Sequence, residues 1–312
     1  MLRRVASHLF WTARNLERAE WRARLADVNY HLLVESPAAS SDGWLPLLAI
    51  TGERAEFSAR YPAADEQSVL EFFTIDEKNP SSIRSCIGLA RENCRALRNH
   101  ISSEMWFEVN TLYLDAQRWS AATFHEYGVY EFFFELRERF YRIAGVVRNT
   151  MPRELGYDFL TVGRTLEAAE NVSRLLDVKY HFLLPRPNDV GSPLDLSQWA
   201  AVLRSASALE AYIGTYGNAI RIDKVVEFLL FDETFPRAAR FCIDRLEAAL
   251  ARIAAGGGEG ESVPGARMLA SRLRSGSASA VLGGGLHEYV LGVQEDCARI
   301  SDEMFARYLR FE

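Results

Sequence analysis

Two segments of the chain carry charged and imidazole side chains at helical spacing, and these are the groups best suited to chemistry. Residues three and four apart share one face of a helix. The first segment places five such groups on one face: Glu17, Glu20, Arg24, Asp27 and His31. The second segment repeats them 150 residues further on: Glu167, Glu170, Arg174, Asp177 and His181. We call these ten residues the charged stripe, and Arg14, Arg18 and Arg164 are further candidates for a polar site along it.

Apolar residues border the first half of the charged stripe on both sides. Small residues such as Ala19 form a seam on one side, and Trp21 lies on the other. The sequence therefore predicts that the stripe is at least half buried, where an unpaired charge is costly. The stripe groups must then pair with one another or bind something. Arg18, Arg22 and Asn29 are left for the solvent-facing side of the helix.

The charged stripe has three interpretations. In the first it is a buried ion-pair network that fixes the helix register, with pairs such as Glu20–Arg24 and Asp27–His31 one turn apart. In the second it is a ligand, metal or catalytic site. In the third it is a solvated face, an interpretation that the apolar borders argue against.

Different groups would supply each chemistry of the second interpretation. The carboxylate pairs Glu17/Glu20 and Glu167/Glu170 can raise one another's pKa and act as acid and base. The Asp-x-x-x-His spacing, present in both halves, can chelate a divalent ion from one helix face. Arginines bind carboxylates and phosphates, so an amino acid or peptide is a further candidate ligand. The Glu-x-x-His motif of helical di-metal sites is absent from the stripe, and we predict no metal and no cofactor.

A shorter motif also occurs twice in the chain. His125-Glu126-Tyr127 returns as His287-Glu288-Tyr289. Divergent copies usually lose residues that only decorate a surface, so we treat four of these residues as secondary site candidates: His125, Glu126, His287 and Glu288.

The spacing of apolar residues predicts an all-α protein, because the alternation typical of strands is nearly absent. Helices are expected from about Leu2 to Val34, Trp44 to Tyr61, Asp65 to Phe73, Pro80 or Ser81 to Ile101, Ser102-Ser103 to Trp119, and Ala121 to Asn149. The second half repeats this order from a helix over Pro152 to Leu184, and the last helix covers Leu286 to Leu309. The stretch from Gly256 to Gly265 is expected to be a surface loop.

This order predicts a helical bundle that arose by internal duplication. We expect a single domain over residues 1–312, made of repeats at about 1–150 and 151–312 with pseudo-twofold symmetry. The two helices that carry the charged stripe are its natural central pair.

Composition argues against several classes of protein. The net charge of −6 does not suit a nucleic-acid surface. No apolar run approaches the roughly 18 residues of a membrane span, and the N-terminus lacks the apolar core of a signal peptide. The four cysteines form no Cys-x-x-Cys pair and are expected to be reduced, buried thiols. We therefore predict a cytoplasmic protein that binds neither nucleic acid nor membrane.

Several of these segments resemble a known family. The motif Arg14-x-Leu-Glu17-Arg18, the run Asn79-Pro80-Ser81-Ser82-Ile83 and the run Ser102-Ser103-Glu104-Met105-Trp106 are similar to the alpha-E domain, a bacterial helical family with a Glu-Arg motif. The resemblance covers essentially the whole chain. The second half departs from the motif at Ala168, so a site built on Arg18 would exist only once.

The resemblance implies a context rather than a reaction. Members of the family are typically encoded beside, or fused to, a circularly permuted ATP-grasp protein, often with a transglutaminase-like protein. This implies an accessory role in forming peptides or amides, in which the chain binds the ligase or its peptide substrate. Two alternatives remain open: an enzyme with a polar or metal site between the two stripe helices, and a structural homodimeric scaffold.

Overall fold

Helices account for all of the regular secondary structure in the part of the chain that is described. The structure is a computed structural model that describes residues 2–35, 43–181, 192–256 and 263–310. Strands are absent from these residues. The predicted all-α class is confirmed, whereas the internal duplication stays a prediction.

Eight helices lie in the first 150 residues: α1 (Arg3–Glu35), α2 (Leu45–Ile50), α3 (Arg54–Ser58), α4 (Glu66–Thr74), α5 (Ile83–Ala96), α6 (Ser103–Ala116), α7 (Ala121–Tyr127) and α8 (Val129–Thr150). Eight more follow among the described residues: α9 (Leu155–His181), α10 (Pro193–Ser205), α11 (Leu209–Tyr216), α12 (Ile222–Val226), α13 (Ala239–Gly256), α14 (Pro264–Ser275), α15 (Ala278–Gly284) and α16 (Leu286–Met304). Two π-helical turns extend α12 and α16: Glu227–Phe231 and Phe305–Leu309.

The two helices that carry the charged stripe, α1 and α9, pack against each other at the centre of the protein. Small residues make the close approach feasible: Ala13, Ala19 and Ala23 are buried on α1, and Gly163 of α9 faces the backbone of Phe10. Other helices surround the pair, with α5 and α8 against α1, and α13 and α16 against α9. The predicted central pair is confirmed.

Two predicted helices are each divided by a glycine in the left-handed region. The predicted helix from Trp44 to Tyr61 is in fact α2 and α3, separated at Gly52, which has φ +72°. The predicted helix from Ala121 to Asn149 is α7 and α8, separated at Gly128, which has φ +83°. Glycine adopts such angles at little cost, and a positive φ ends the helix that precedes it.

Other predicted boundaries were wrong by a few residues. The helix expected from Pro80 or Ser81 to Ile101 covers only Ile83–Ala96. It begins at Ile83 because the Ser82 side chain caps the first turn by accepting from the backbone N–H of Ser85. Pro264 and Gly265, expected in a loop, form the first turn of α14. Residues 182–184 of the predicted stripe helix, and 257–262 of the predicted glycine-rich loop, lie outside the described residues.

The four cysteines are buried and unpaired, as predicted for reduced thiols: Cys86, Cys94, Cys242 and Cys297. Burial raises the pKa of Cys86 to about 11 and the pKa of Cys242 to about 12. Such raised pKa values favour the protonated form of these two thiols at neutral pH, which is a poor nucleophile. None of the described helices combines the length and apolar character that a membrane span requires.

Candidate functional site

The charged stripe forms ion pairs between α1 and α9 as well as within each helix, and the predicted Glu20–Arg24 pair is among the latter. The Nε of Arg14 donates to Oε2 of Glu167 at 2.6 Å, and its Nη2 donates to Oε2 of Glu170 at 2.7 Å. Arg18 donates from Nε to the other oxygen of Glu167 at 2.7 Å. Arg174 contacts Glu170 from the next turn of α9. We call these five residues the Arg14 cluster; four of them are largely withdrawn from water, and Arg174 is the most exposed.

A second group of ion pairs lies further along α1. Arg237, which precedes α13, donates to Oε1 of Glu17 at 2.8 Å and to Oε1 of Glu20 at 2.5 Å. Arg24 donates to the same Glu20 oxygen at 2.7 Å and to the Tyr141 hydroxyl at 3.1 Å. We call Glu17, Glu20, Arg24 and Arg237 the Arg237 cluster. Its glutamates and Arg24 are buried.

Arg237 was not predicted from the sequence. Arg164, one of the predicted site residues, is exposed; its charge acts on Glu17 and Glu20, but Arg237 makes the hydrogen bonds to them. Residues 228–243 align without gaps on residues 72–87, so that Pro236 matches Pro80 and Arg237 matches the uncharged Ser81. This difference in charge was the only feature of the sequence that distinguished Arg237.

The pKa values of Glu167 and Glu20 are lowered, whereas that of Glu17, in the same cluster as Glu20, is raised. Burial alone would raise the pKa of Glu167, but the guanidinium groups of Arg14 and Arg18 outweigh it and lower that pKa. Burial is likewise outweighed at Glu20, where Arg237 and Arg24 lower the pKa. At Glu17 burial prevails, helped by the charge of Glu20, and the pKa is raised despite Arg237.

This difference predicts unequal effects of the same substitution. We expect Glu20→Gln to cost about 1–2 kcal/mol, because it weakens charge-assisted bonds from two arginines. Glu17→Gln should cost clearly less, because the fold disfavours the Glu17 charge. For the same reason the wild type should gain stability, relative to Glu17→Gln, as the pH falls through the raised pKa of Glu17. Urea unfolding of both variants between pH 4 and 7 (about the range in which carboxyl groups titrate) measures this, and equal losses at neutral pH would contradict it.

Asp27 binds an arginine from α8. Its Oδ2 lies 2.9 Å from Nη1 of Arg137, whereas Nε2 of His31 lies 3.7 Å from Oδ1. Burial raises the pKa of Asp27, and the opposing charge of Arg137 only partly offsets it. The His31 ring is partly exposed and meets the Tyr130 ring edge-on, with centroids 5.1 Å apart.

A metal site does not fit these contacts. The guanidinium of Arg137 lies where a cation bound to Asp27 would be repelled. Across the described residues, three or more His, Cys, Asp or Glu side chains nowhere come together in a metal-binding group. The side chain of His181, the partner expected for Asp177, lies outside the described part of the structure.

Asp177 joins the two repeated motifs. Its Oδ1 lies 2.5 Å from Nδ1 of His287 on α16. This hydrogen bond raises the pKa of His287, with further help from the charges of Asp177 and Glu288. The remaining secondary candidates, His125, Glu126 and Glu288, are exposed and do not join the stripe.

The His287–Asp177 pair predicts a titration that depends on the carboxylate. We expect Asp177→Asn to lower the pKa of His287 toward about 6.5. The pKa of His287 is higher in the folded protein than in the unfolded chain. The pair therefore stabilises the fold fully at a pH below the pKa of His287 in the unfolded chain. This stabilisation is lost as the pH rises through the pKa of His287 in the folded protein. NMR titration of the His287 ring measures the shift. Asp302→Asn, which removes an exposed carboxylate of α16, is the control and should leave the titration unchanged.

The predicted solvent face of α1 was wrong. Arg22 is only 2% exposed, donates to Glu53 at 2.7 Å and stacks its guanidinium 3.9 Å from the centre of the Phe73 ring. Asn29 is also buried, and Arg18 points into the Arg14 cluster. The reason is that helices pack against α1 on several sides, so few of its positions face water along most of its length.

The geometry gives the Glu17-Arg18 dipeptide a specific position. Glu17 binds Arg237 and the adjacent Arg18 binds Glu167, so the dipeptide joins the two clusters. Residues 1–309 match the family model of Alpha-E, described as a predicted alpha-helical domain with a conserved ER motif. The chain belongs to the Alpha-E family.

Curated relatives of this Alpha-E chain are much longer proteins. Uncharacterised proteins from Mycobacterium bovis and Mycobacterium tuberculosis are each 26% identical to it over 270 residues, which is 79% of this chain and 29% of the relative. The chain thus spans about three tenths of the length of these relatives. No solved structure matches it.

Proposed function

We propose that this Alpha-E chain is a non-catalytic partner module in an ATP-grasp system that forms peptides or amides. The observation that carries the proposal is that arginines already bind the stripe carboxylates. Glu17, Glu20, Glu167 and Glu170 each contact at least one guanidinium at 2.8 Å or less. Carboxylates held in this way fix the position of two helices and are poorly suited to transfer protons.

The lengths of the relatives support a role beside another polypeptide. In both mycobacterial proteins the region similar to this chain accounts for 29% of the sequence, so it is joined there to a much larger remainder. The resemblance to the alpha-E domain implies that the other polypeptide is an ATP-grasp protein. We infer that this chain makes the corresponding contact as a separate protein or as part of a longer one.

The α8 helix offers a surface for that contact. Tyr130, Phe134 and Tyr141 are 40–46% exposed, and their spacing of four and seven residues places them on one side of the helix. Arg137, on the same side, lies 5.9 Å from the centre of the Phe134 ring. Aligned exposed aromatic residues with an arginine are typical of protein interfaces. We propose that this aromatic face of α8 binds the ATP-grasp protein.

Co-purification with an ATP-grasp protein from the same organism, of the circularly permuted class that the resemblance implies, tests the proposal. The wild type should form a complex, and Tyr130→Ser/Phe134→Ser should weaken it by about tenfold or more. Phe107→Ser on α6 is a matched control, because Phe107 is an exposed aromatic residue outside that face. If both folded proteins fail to associate, the partner role is wrong; if the control weakens the complex equally, the aromatic face is not the contact.

One observation favours a second candidate, an enzyme that uses the Arg237 cluster. Neighbouring carboxyl groups whose pKa values shift in opposite directions are typical of acid–base pairs, and Glu17 and Glu20 shift in this way. For this candidate Glu17→Gln should abolish an activity on a peptide or amino acid while leaving the unfolding temperature nearly unchanged. A variant that retains the activity would exclude Glu17 as the catalytic acid.

A further inference from the structure

A cavity separate from the charged stripe lies between α6, α7 and α8. Its volume is about 420 Å³, within the usual range of sites for small molecules. Leu112, Phe132 and Leu136 are nearly buried and form an apolar floor. Trp119 and Tyr127 add two aromatic rings to its lining, and Tyr127 is largely exposed.

The turn at Gly128 builds this cavity. Its positive φ ends α7 and directs the chain into α8, so Glu126 and Tyr127 lie beside the outer face of α8. The φ of +83° at Gly128 is one that residues with a Cβ rarely adopt, so glycine is favoured at this turn. Phe124 then fixes α7 on α8 by meeting Phe132 edge-on, with ring centroids 5.1 Å apart.

The charges around the cavity are unequally matched. Asp115 accepts from Arg139 at 2.5 Å and lies 3.9 Å from Arg118, so its charge is compensated. Glu126 and Glu135 line the same cavity and are exposed, and neither forms an ion pair with any of the residues described. Three carboxylates and two arginines thus line a cavity with aromatic walls and an apolar floor, which leaves one negative charge in excess, on the side of Glu126 and Glu135.

We propose that this cavity binds an alkylammonium group, as carried by a lysine side chain or by a free aliphatic diamine. The carboxylates of Glu126 and Glu135 match its charge. The rings of Trp119 and Tyr127 can accept the cation on their faces, and the apolar floor suits its methylene groups. The inference does not depend on the partner role proposed above.

Calorimetric titration with matched probes tests the proposal. Nα-acetyl-lysine methylamide carries the cation on a peptide-like body, and 1,4-diaminobutane carries it on a free chain. Both should bind about tenfold or more tightly than the uncharged Nα-acetyl-norleucine methylamide. Tighter binding of the lysine probe identifies a peptide side chain as the ligand, and tighter binding of the diamine identifies a free amine.

Variants at the rim locate the binding. Glu126→Gln/Glu135→Gln should lose at least about tenfold in affinity for the cationic probes. Glu138→Gln is the control, because Glu138 is exposed on the same helix but does not line the cavity. Three results would overturn the proposal: equal affinity for norleucine, preferential binding of Nα-acetyl-glutamate methylamide, or no binding of either cation at about 10 mM, a weak-affinity limit.

Discussion

Glu167→Ala is expected to destabilise this Alpha-E chain by about 3–5 kcal/mol, because it removes the carboxylate that two arginines share. Arg14 and Arg18 both donate to Glu167, and the substitution leaves Arg18 without its partner in a largely buried position. Arg14 keeps Glu170, so the loss falls mainly on the Arg18 side of the cluster. Urea unfolding monitored by circular dichroism at neutral pH measures the change.

A combined replacement separates the cost of an unpaired charge from the value of the ion pairs. Arg14→Met/Arg18→Leu/Glu167→Met removes both arginines and the shared carboxylate, and leaves Glu170 with Arg174. Replacing a whole buried ion-pair group by apolar residues is often neutral or stabilising by about 1–4 kcal/mol. The triple variant should therefore be clearly more stable than Glu167→Ala. Equal instability would show that the ion pairs themselves are required.

The pH dependence of Glu167→Ala has a defined sign. The pKa of Glu167 in the folded protein is lowered below its usual 4.5. The ionised carboxylate therefore adds fully to the free energy of unfolding above the pKa of the unfolded chain, and this stabilisation is lost as the pH falls through the pKa of the folded protein. The difference between wild type and variant should shrink in acid. Glu247→Ala is the control, because Glu247 pairs with the exposed Arg274. Its substitution should lower the free energy of unfolding by no more than about 1 kcal/mol. A control loss as large as that of Glu167→Ala would contradict the explanation.

The sequence predicted the features that depend on local spacing. Residues three and four apart must share a helix face, so the all-α class, the burial of the charged stripe and the pairing of α1 with α9 could be inferred from the chain alone. The cap at Ser102 was predictable for the same reason, because a cap acts on the turn that follows it.

The contacts that were missed join residues far apart in the chain. Arg237 lies 217 positions from Glu20, and spacing within a helix carries no information about such a partner. Arg22 was misplaced because periodicity identifies the most apolar face of a helix, and α1 has neighbours on its other faces as well. Gly128 was read as part of a helix because an isolated glycine within a helical pattern is usually tolerated.

The two clusters differ where the sequences of the two stripe segments differ. Arg18 of α1 adds a second guanidinium to Glu167, and the matching position on α9 is Ala168, which is buried. Glu17 therefore receives its arginine from outside the stripe, from the segment before α13. A sequence comparison of the two halves shows that Ala168 stands where Arg18 has its match. It does not show that Arg237 supplies the guanidinium to Glu17, because these residues meet only in the folded chain.

The crossing of α1 and α9 depends on Gly163, and Gly163→Ala is expected to destabilise the protein by about 2–3 kcal/mol through overpacking. An added Cβ would lie 2.3 Å from the carbonyl oxygen of Phe10 and 3.2 Å from Cβ of Ala13. The first contact is with backbone, so the helices must move apart. The gain of up to about 1 kcal/mol that alanine brings to a helix is too small to compensate.

Gly145→Ala is the matched control for this prediction. Gly145 lies within α8, and an added Cβ there would meet no atom within 4 Å, so alanine should stabilise the protein by about 0.5–1 kcal/mol. The same chemical change should thus have opposite signs at the two sites when thermal unfolding is compared. If Gly163→Ala is neutral or stabilising, close contact at Gly163 does not hold α1 and α9 together. The distances from Arg14 on α1 to Glu167 and Glu170 on α9 would then be longer than 2.6 and 2.7 Å.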